Sequence, residues 1–356
     1  MPERDGDNIR AAEVVLPCTE LGACLAFFER LGFRLDAISP AEDPSTALLT
    51  GHGLRIRLER DRTAGAPGLL RLFCRDPAAL AGERELVAPN GTRIELVDAD
   101  PPLALPPLAP SLVVTSMEGE PWREGRAGML YRDLIPDRQG GRFIASHIRI
   151  AEGGPAPDYV HHHSVRFQLI YCYRGWVRVV YEDQGPPFVL HPGDCVLQPP
   201  HIRHRVLESS PGLEVIELSS PAAHETFADH DLDVPTLRRE RQYSGQRFVH
   251  HRAAGAAWSP WRPGLAARDL GIAAATGGMA SAHVARPEPG HTSSRHRHGG
   301  ELRFLFVLEG AVTLACDGAR RLAAGDAAVV PAGLDHALVD PSADLEILEI
   351  DLPAIT

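Results

Sequence analysis

Apolar residues run continuously through Ala12-Glu13-Val14-Val15-Leu16-Pro17 and then change period, with Leu21, Cys24, Leu25, Phe27 and Phe28 spaced three and four apart between Glu20 and Leu31. The first pattern predicts a strand and the second an amphipathic helix, which Gly32 ends. Short extended runs follow at residues 33–38, 46–49 and 54–58, giving a β-α-β-β-β order. A shorter second half begins at Leu69 to Cys74 and closes at residues 92–97. The pattern stops at Pro101-Pro102-Leu103-Ala104-Leu105-Pro106-Pro107-Leu108-Ala109-Pro110, which can continue neither strand nor helix. Residues 101–118 are therefore expected to be a proline-rich linker closing a first domain of residues 1–100. Beyond it the chain reads as strands. A second gap at 229–250 carries Arg238-Arg239-Glu240-Arg241 and few apolar residues, as expected of a solvated linker or of a strand lying along its neighbour.

The strand-forming region is a repeat. Trp122 and Trp258, Gly128 and Gly264, and Arg132-Asp133-Leu134 and Arg268-Asp269-Leu270 recur at an offset of 136 residues. The offset narrows to 135 at Gly175 and Gly310 and to 132 at His204 and His336, as loop insertions between duplicated strands produce. Two domains follow, at 119–228 and 251–356. Each carries one histidine pattern. The first is His161-x-His163-x4-Gln168-x6-Gly175 with Gly193-x5-Pro199-x4-His204, and the second is His296-x-His298-x4-Arg303-x6-Gly310 with Gly325-x5-Pro331-x-Gly333-x2-His336. Alternate residues of a strand share one face, so H-x-H sets two imidazoles side by side, and a later strand can bring the third. Imidazole suits zinc, iron, copper and nickel, so a transition metal is implied without being named.

Composition narrows the alternatives. The 356 residues hold 47 acidic and 36 basic side chains, a net charge of −11 that argues against a nucleic-acid partner. No apolar run reaches membrane-spanning length, so no membrane partner is expected. Met1-Pro2-Glu3-Arg4-Asp5 lacks the regions of a signal peptide, and six cysteines without C-x-x-C spacing read as reduced thiols of a cytoplasmic protein. Every basic residue is arginine, and the absence of lysine excludes Schiff-base chemistry and a P-loop lysine.

In the order and spacing of their motifs, the two histidine patterns resemble those of the cupin superfamily. The resemblance covers about two thirds of the chain and implies a mainly β fold: two double-sheet, jelly-roll barrels in tandem, a bicupin. It implies metal ligation by His161, His163 and His204 in the first barrel and by His296, His298 and His336 in the second. The family's fourth ligand, a glutamate, is replaced by Gln168 in the first copy and by Arg303 in the second. His201 replaces the glycine of the first turn, and Gly333 keeps it in the second.

Those departures set the expected chemistry. Gln168 leaves three neutral imidazoles, an ion with its full double charge, and open positions for a chelating anion. Arg303 opposes a cation beside the second histidines, unless Glu301, two residues away, substitutes as a ligand or neutralises it. The second site is thus either a structural barrel or second metal centre, or an arginine clamp for a substrate carboxylate. Gln168 and Arg303 are the candidate catalytic residues. Cys172 shares the face of Gln168 as a small hydrophobe, while Tyr171 and Tyr173 fall on the opposite face and pack between sheets or subunits.

The N-terminal domain resembles the vicinal-oxygen-chelate fold of glyoxalases and bleomycin-resistance proteins. The resemblance rests on Leu25-Ala26-Phe27-Phe28-Glu29-Arg30-Leu31-Gly32-Phe33 and Pro89-Asn90-Gly91-Thr92-Arg93-Ile94-Glu95-Leu96. Metal-binding members use a glutamate at the place of Glu95 and a histidine on the first strand, which is missing here. A structural or dimerising role, with a homodimer as the partnership, is the expectation, and Glu95 is expected to be a solvated carboxylate.

The resemblance implies, first, a three-histidine Fe(II) dioxygenase of a small, anionic metabolite, with O2 as co-substrate. Zinc, manganese, nickel or copper would fit the same ligands. A non-redox isomerase, lyase or hydrolase is the second class. A non-catalytic, small-molecule-binding cupin is the third.

Overall fold

The computed structural model describes residues 9–30, 32–51, 53–60, 69–78, 84–87, 93–99, 101–119, 121–125, 128–289 and 294–353. Leu31 and Pro89 to Thr92, part of the N-terminal resemblance, lie outside the described residues. The chain forms two compact units, Met1–Ala104 with His224–His230, and Leu105–Ala223 with Asp231–Thr356.

The smaller unit begins with strand Ile9–Pro17 and helix Leu21–Arg30, followed by strands Arg34–Ser39, Thr46–Gly51 and Leu54–Glu59. The first strand lies parallel to Leu54–Glu59 and antiparallel to Leu69–Cys74, which in turn runs parallel to Arg93–Asp98. Helical spacing puts Leu21 and the half-buried Cys24, Leu25 and Phe28 against Leu49, Ile56 and Leu58 of the sheet. The sequence places residues 224–228 in the first barrel. Instead, Thr226–Ala228 pairs with the open edge of Arg34–Ser39.

Two barrels build the larger unit. In the first, one sheet runs Val249–His251, Cys195–Leu197, Phe167–Arg174, Leu213–Ser220, Ile144–Ile150, Leu130–Asp133 and Arg123–Glu124. Strands Val177–Tyr181 and His204–Ser209 belong to the facing sheet, with His161–His163 beside the latter. The second barrel repeats this with Glu346–Leu352 between Ser281–Pro287 and Leu302–Glu309.

Strand parity divides each central strand between two cores. Cys172 joins Ile148, Val177 and Val215 inside the first barrel, and Leu305 and Val307 join Val312 and Ile347 inside the second. The alternate residues Phe167, Leu169, Tyr171 and Tyr173 meet Leu302, Phe304 and Phe306 in one core between the barrels. Tyr171 and Tyr173 therefore pack between barrels of a single chain.

The barrels also exchange strands. Val113–Thr115, within the proline-rich stretch, pairs with Ala327–Val329 of the second barrel. Val249–His251, ahead of the second barrel, pairs with Cys195–Leu197 of the first. The two added strands are themselves repeat equivalents, and each covers a sheet edge that would otherwise present open hydrogen-bonding groups. Among the described residues no helix is long and apolar enough to cross a membrane, and none of the six cysteines forms a disulfide.

Candidate metal centre

Cross-strand register brings the first three histidines together. His161 lies directly opposite His204 in the ladder, and His163 follows two residues later on the same face. One ligand atom from each of the three lies within 4.8 Å of the others. All three are buried, at 4, 8 and 5% exposure for His161, His163 and His204. The ring geometry is set from outside: His161 Nδ1 is 2.8 Å from the carbonyl of Tyr159, and His204 Nδ1 is 3.1 Å from that of Ile202. Holding Nδ1 at a carbonyl fixes the proton there and leaves Nε2 as the ligand atom.

A turn carries His204 into place. The His201 amide donates to the His163 carbonyl at 3.1 Å, tying the turn to the ligand strand. His201 keeps the left-handed backbone of the glycine it replaces, with φ of 62° against 77° at Gly333. Its ring lies beside that of His162, 3.4 Å between Nδ1 atoms, and burial is the main cause lowering its pKa. His162 is thus turned away from the three ligands.

Around the histidines the site is polar but closed. Tyr181 stacks on His204, with centroids 5.4 Å apart, and burial pushes its phenol pKa up. The Gln198 carboxamide nitrogen is 2.9 Å from His204 Nε2, and its buried Oε1 has no hydrogen-bond partner among the described residues. Three converging imidazoles with such an orphaned acceptor beside them fit a divalent cation and its water shell. Gln168, 1% exposed, donates through Nε2 to Glu217 Oε1 at 2.9 Å. Glu217 also raises the Tyr181 pKa, so the missing carboxylate reappears one strand away. Cys172 is buried among apolar side chains, its thiol pushed up to about 12 by burial, which removes it as a nucleophile at neutral pH.

The second histidine set is arranged differently. His296 and His336 again face each other across a bridge, their centroids 4.3 Å apart, as against 4.2 Å for His161 and His204. Between them lies Arg303, 2% exposed, whose NH1 is 2.7 Å from His296 Nε2 and 3.2 Å from His336 Nε2. His298 does not join them: its Nε2 is 2.7 Å from the Val330 carbonyl. Burial, with Arg303 adding to it, lowers the pKa of His296 and brings that of His336 to about 4, so both rings are neutral acceptors at pH 7.

The charge of Arg303 is met by Asp351 at 2.9 Å and Glu349 at 3.3 Å, while Arg262 reaches Glu349 at 2.7 Å. Glu301 is not its partner. That carboxylate bonds Arg142 and Arg166, both at 3.1 Å, because Glu301 precedes the strand Leu302–Glu309 and escapes its parity, whereas Asp351 is the register partner of Arg303. In the N-terminal unit, Glu95 is likewise an ion-pair partner, 2.6 Å from Arg71, rather than a solvated carboxylate.

Glu217 and Glu349 escaped the sequence reading. A signal was present, since they are separated by 132 residues, the same offset as His204 and His336.

The two barrels each carry one match to a known domain family, and the first of them holds the converging histidines. The cupin domain model matches residues 146–216 and 283–351. Among solved structures, a mutant of Bacillus subtilis oxalate decarboxylase is similar with a TM-score of 0.50, 14% identity, and coverage of 71% of this chain and 79% of that one. A structure of the same enzyme concerned with its Mn(II) centres gives the same figures. At this identity the likeness is one of fold. No curated protein matches the chain.

Proposed function

We propose that the first barrel is the active centre of a metal-dependent enzyme acting on a small anionic metabolite. The observation that supports this best is the convergence of His161, His163 and His204 within 4.8 Å, with the Nδ1 of His161 and of His204 turned to backbone carbonyls. A divalent ion held there would polarise a chelated carboxylate and, as ferrous iron, give dioxygen a redox partner. The three ligands are neutral, so an ion held there would present a positive charge to a negative substrate, offset in part by the nearby Glu217 and Asp158. Gln168 contributes a donor to Glu217 and no charge of its own. Tyr181 excludes water from one face of His204.

Dioxygenation with ferrous iron is our first reading of the reaction. A non-redox lyase, isomerase or hydrolase is the second, favoured by Glu217, a part-buried carboxylate beside the site that can hold and release a proton. Manganese joins iron as a candidate ion for that reading, given the Mn(II) centres named for the similar decarboxylase fold. For the N-terminal unit we propose a vicinal-oxygen-chelate-like module with a structural or dimerising role, on the strength of its β-α-β-β-β order.

Oxygen uptake separates the two reaction classes. Protein reconstituted anaerobically with ferrous iron is mixed with aromatic and thiol carboxylates in aerated buffer, and both oxygen and substrate are followed. Uptake that disappears in His163→Ala supports the first reading. Substrate loss without uptake, lost in Glu217→Gln, supports the second. Turnover that survives His163→Ala would overturn both.

A further inference from the structure

The second barrel contains a cavity of about 270 Å³ whose lining includes Arg262, Arg297 and Arg303 together with Leu265, Leu305 and Leu338. His296 and His336 also reach it, and among the described residues Glu349 is its one lining carboxylate. Three guanidiniums and one carboxylate line the cavity, with Asp351 behind Arg303 at 2.9 Å and Asp335 at 3.9 Å from Arg297.

We infer that this barrel is a metal-free binding site for a small organic acid with one carboxylate and an apolar body. Arg303 NH1 bonds both His296 Nε2 and His336 Nε2, the atoms equivalent to ligand atoms in the first barrel, so a built-in cation occupies the place of an ion. His298, the third imidazole of the motif, is committed to the Val330 carbonyl and does not join the pair. Arg303 is therefore preorganised: two neutral imidazoles and Asp351 hold its plane before any ligand arrives. Arg262 is held likewise, 3.8 Å over the Trp261 ring and against Glu349. Two fixed guanidiniums lining a cavity match a carboxylate, and the leucines lining it match an apolar ring or chain.

Recognition of this kind requires the negative charge, needs no metal, and is independent of the first barrel. The experiment is calorimetric titration of metal-stripped full-length protein with benzoate and, separately, with benzamide, which has the same shape without the charge. One benzoate should bind per chain, benzamide about ten-fold more weakly or worse, and His163→Ala should bind benzoate as the wild type does. Arg262→Gln should weaken benzoate binding at least ten-fold. Leu338→Trp keeps every charge but fills the cavity, and it should abolish binding even if Arg262→Gln fails to fold. No benzoate binding at millimolar concentration, equal affinity for the two probes, loss of binding in His163→Ala, or retention of binding in Leu338→Trp would each overturn the inference.

Discussion

Replacing Arg303 by Met removes a guanidinium from the closed interior of the second barrel while nearly keeping its volume. Asp351 and Glu349, 1 and 3% exposed, then lose a partner at 2.9 and 3.3 Å. Breaking a buried pair from one side costs about 3–5 kcal/mol because the remaining charge is left unpaired. Arg262 stays within 2.7 Å of Glu349 and 3.5 Å of Asp351, which puts the expected loss near the lower end, about 3 kcal/mol. For a unit of a few hundred residues that corresponds to a fall in Tm of roughly 6–12 °C. Burial and the Glu349 charge already raise the Asp351 pKa, and without Arg303 it rises further. A carboxyl raised on folding gives stability that is present below its unfolded pKa and lost as pH rises through the folded value. The deficit of the variant should therefore be larger at pH 8 than at pH 5. Thermal unfolding followed by circular dichroism at the two pH values measures it, with Arg303→Met/Asp351→Leu as the second arm of the cycle, expected to recover at least half of the loss. A single variant as stable as wild type, or a double variant no more stable than the single, would refute the reasoning.

Gln168→Glu replaces the donor to Glu217 with a second carboxylate, so metal affinity should rise about ten-fold through the added negative charge, as measured by competition with a chelator, while affinity for an anionic substrate falls. His147, fully buried among Trp122, Tyr173 and Phe306 and 2.7 Å from Glu214, has a pKa lowered chiefly by burial, and that of Glu214 is lowered by its bond to His147. Both shifts make the unfolded chain bind protons first, so stability should fall as pH drops below about 6.5, and His147→Gln should flatten the upper part of that fall in Tm measured from pH 7 to pH 5. His201→Gly relieves a left-handed non-glycine residue and should stabilise the protein by about 1 kcal/mol, read from denaturant midpoints; a loss of stability would show that the His201 ring matters more than its backbone.

Much of the site was legible because a strand has a period of two. Within Phe167–Arg174, once Gln168 faces the barrel interior, Cys172 four residues on falls inside and Tyr171 and Tyr173 outside, as the two cores show. What sequence could not give was pairing across strands. Asp351 lies 48 residues from Arg303, and only the register of two neighbouring strands makes them partners. Glu301, close in sequence, was the more obvious candidate and is drawn off by Arg142 and Arg166. The exchanged strands Val113–Thr115 and Val249–His251 were hidden for a related reason: three residues are too few to show a period, and their order comes from the sheet edges that accept them.

One metal is expected in the first barrel, and Arg303 stands where a second would be. Elemental analysis of protein purified without a histidine tag tests this most directly, comparing wild type with His163→Ala and His298→Ala after confirming that each remains folded. The expected result is one transition-metal ion per chain in wild type, nearly none in His163→Ala, and one in His298→Ala. Two ions per chain in wild type, or metal retained in His163→Ala and lost in His298→Ala, would contradict it.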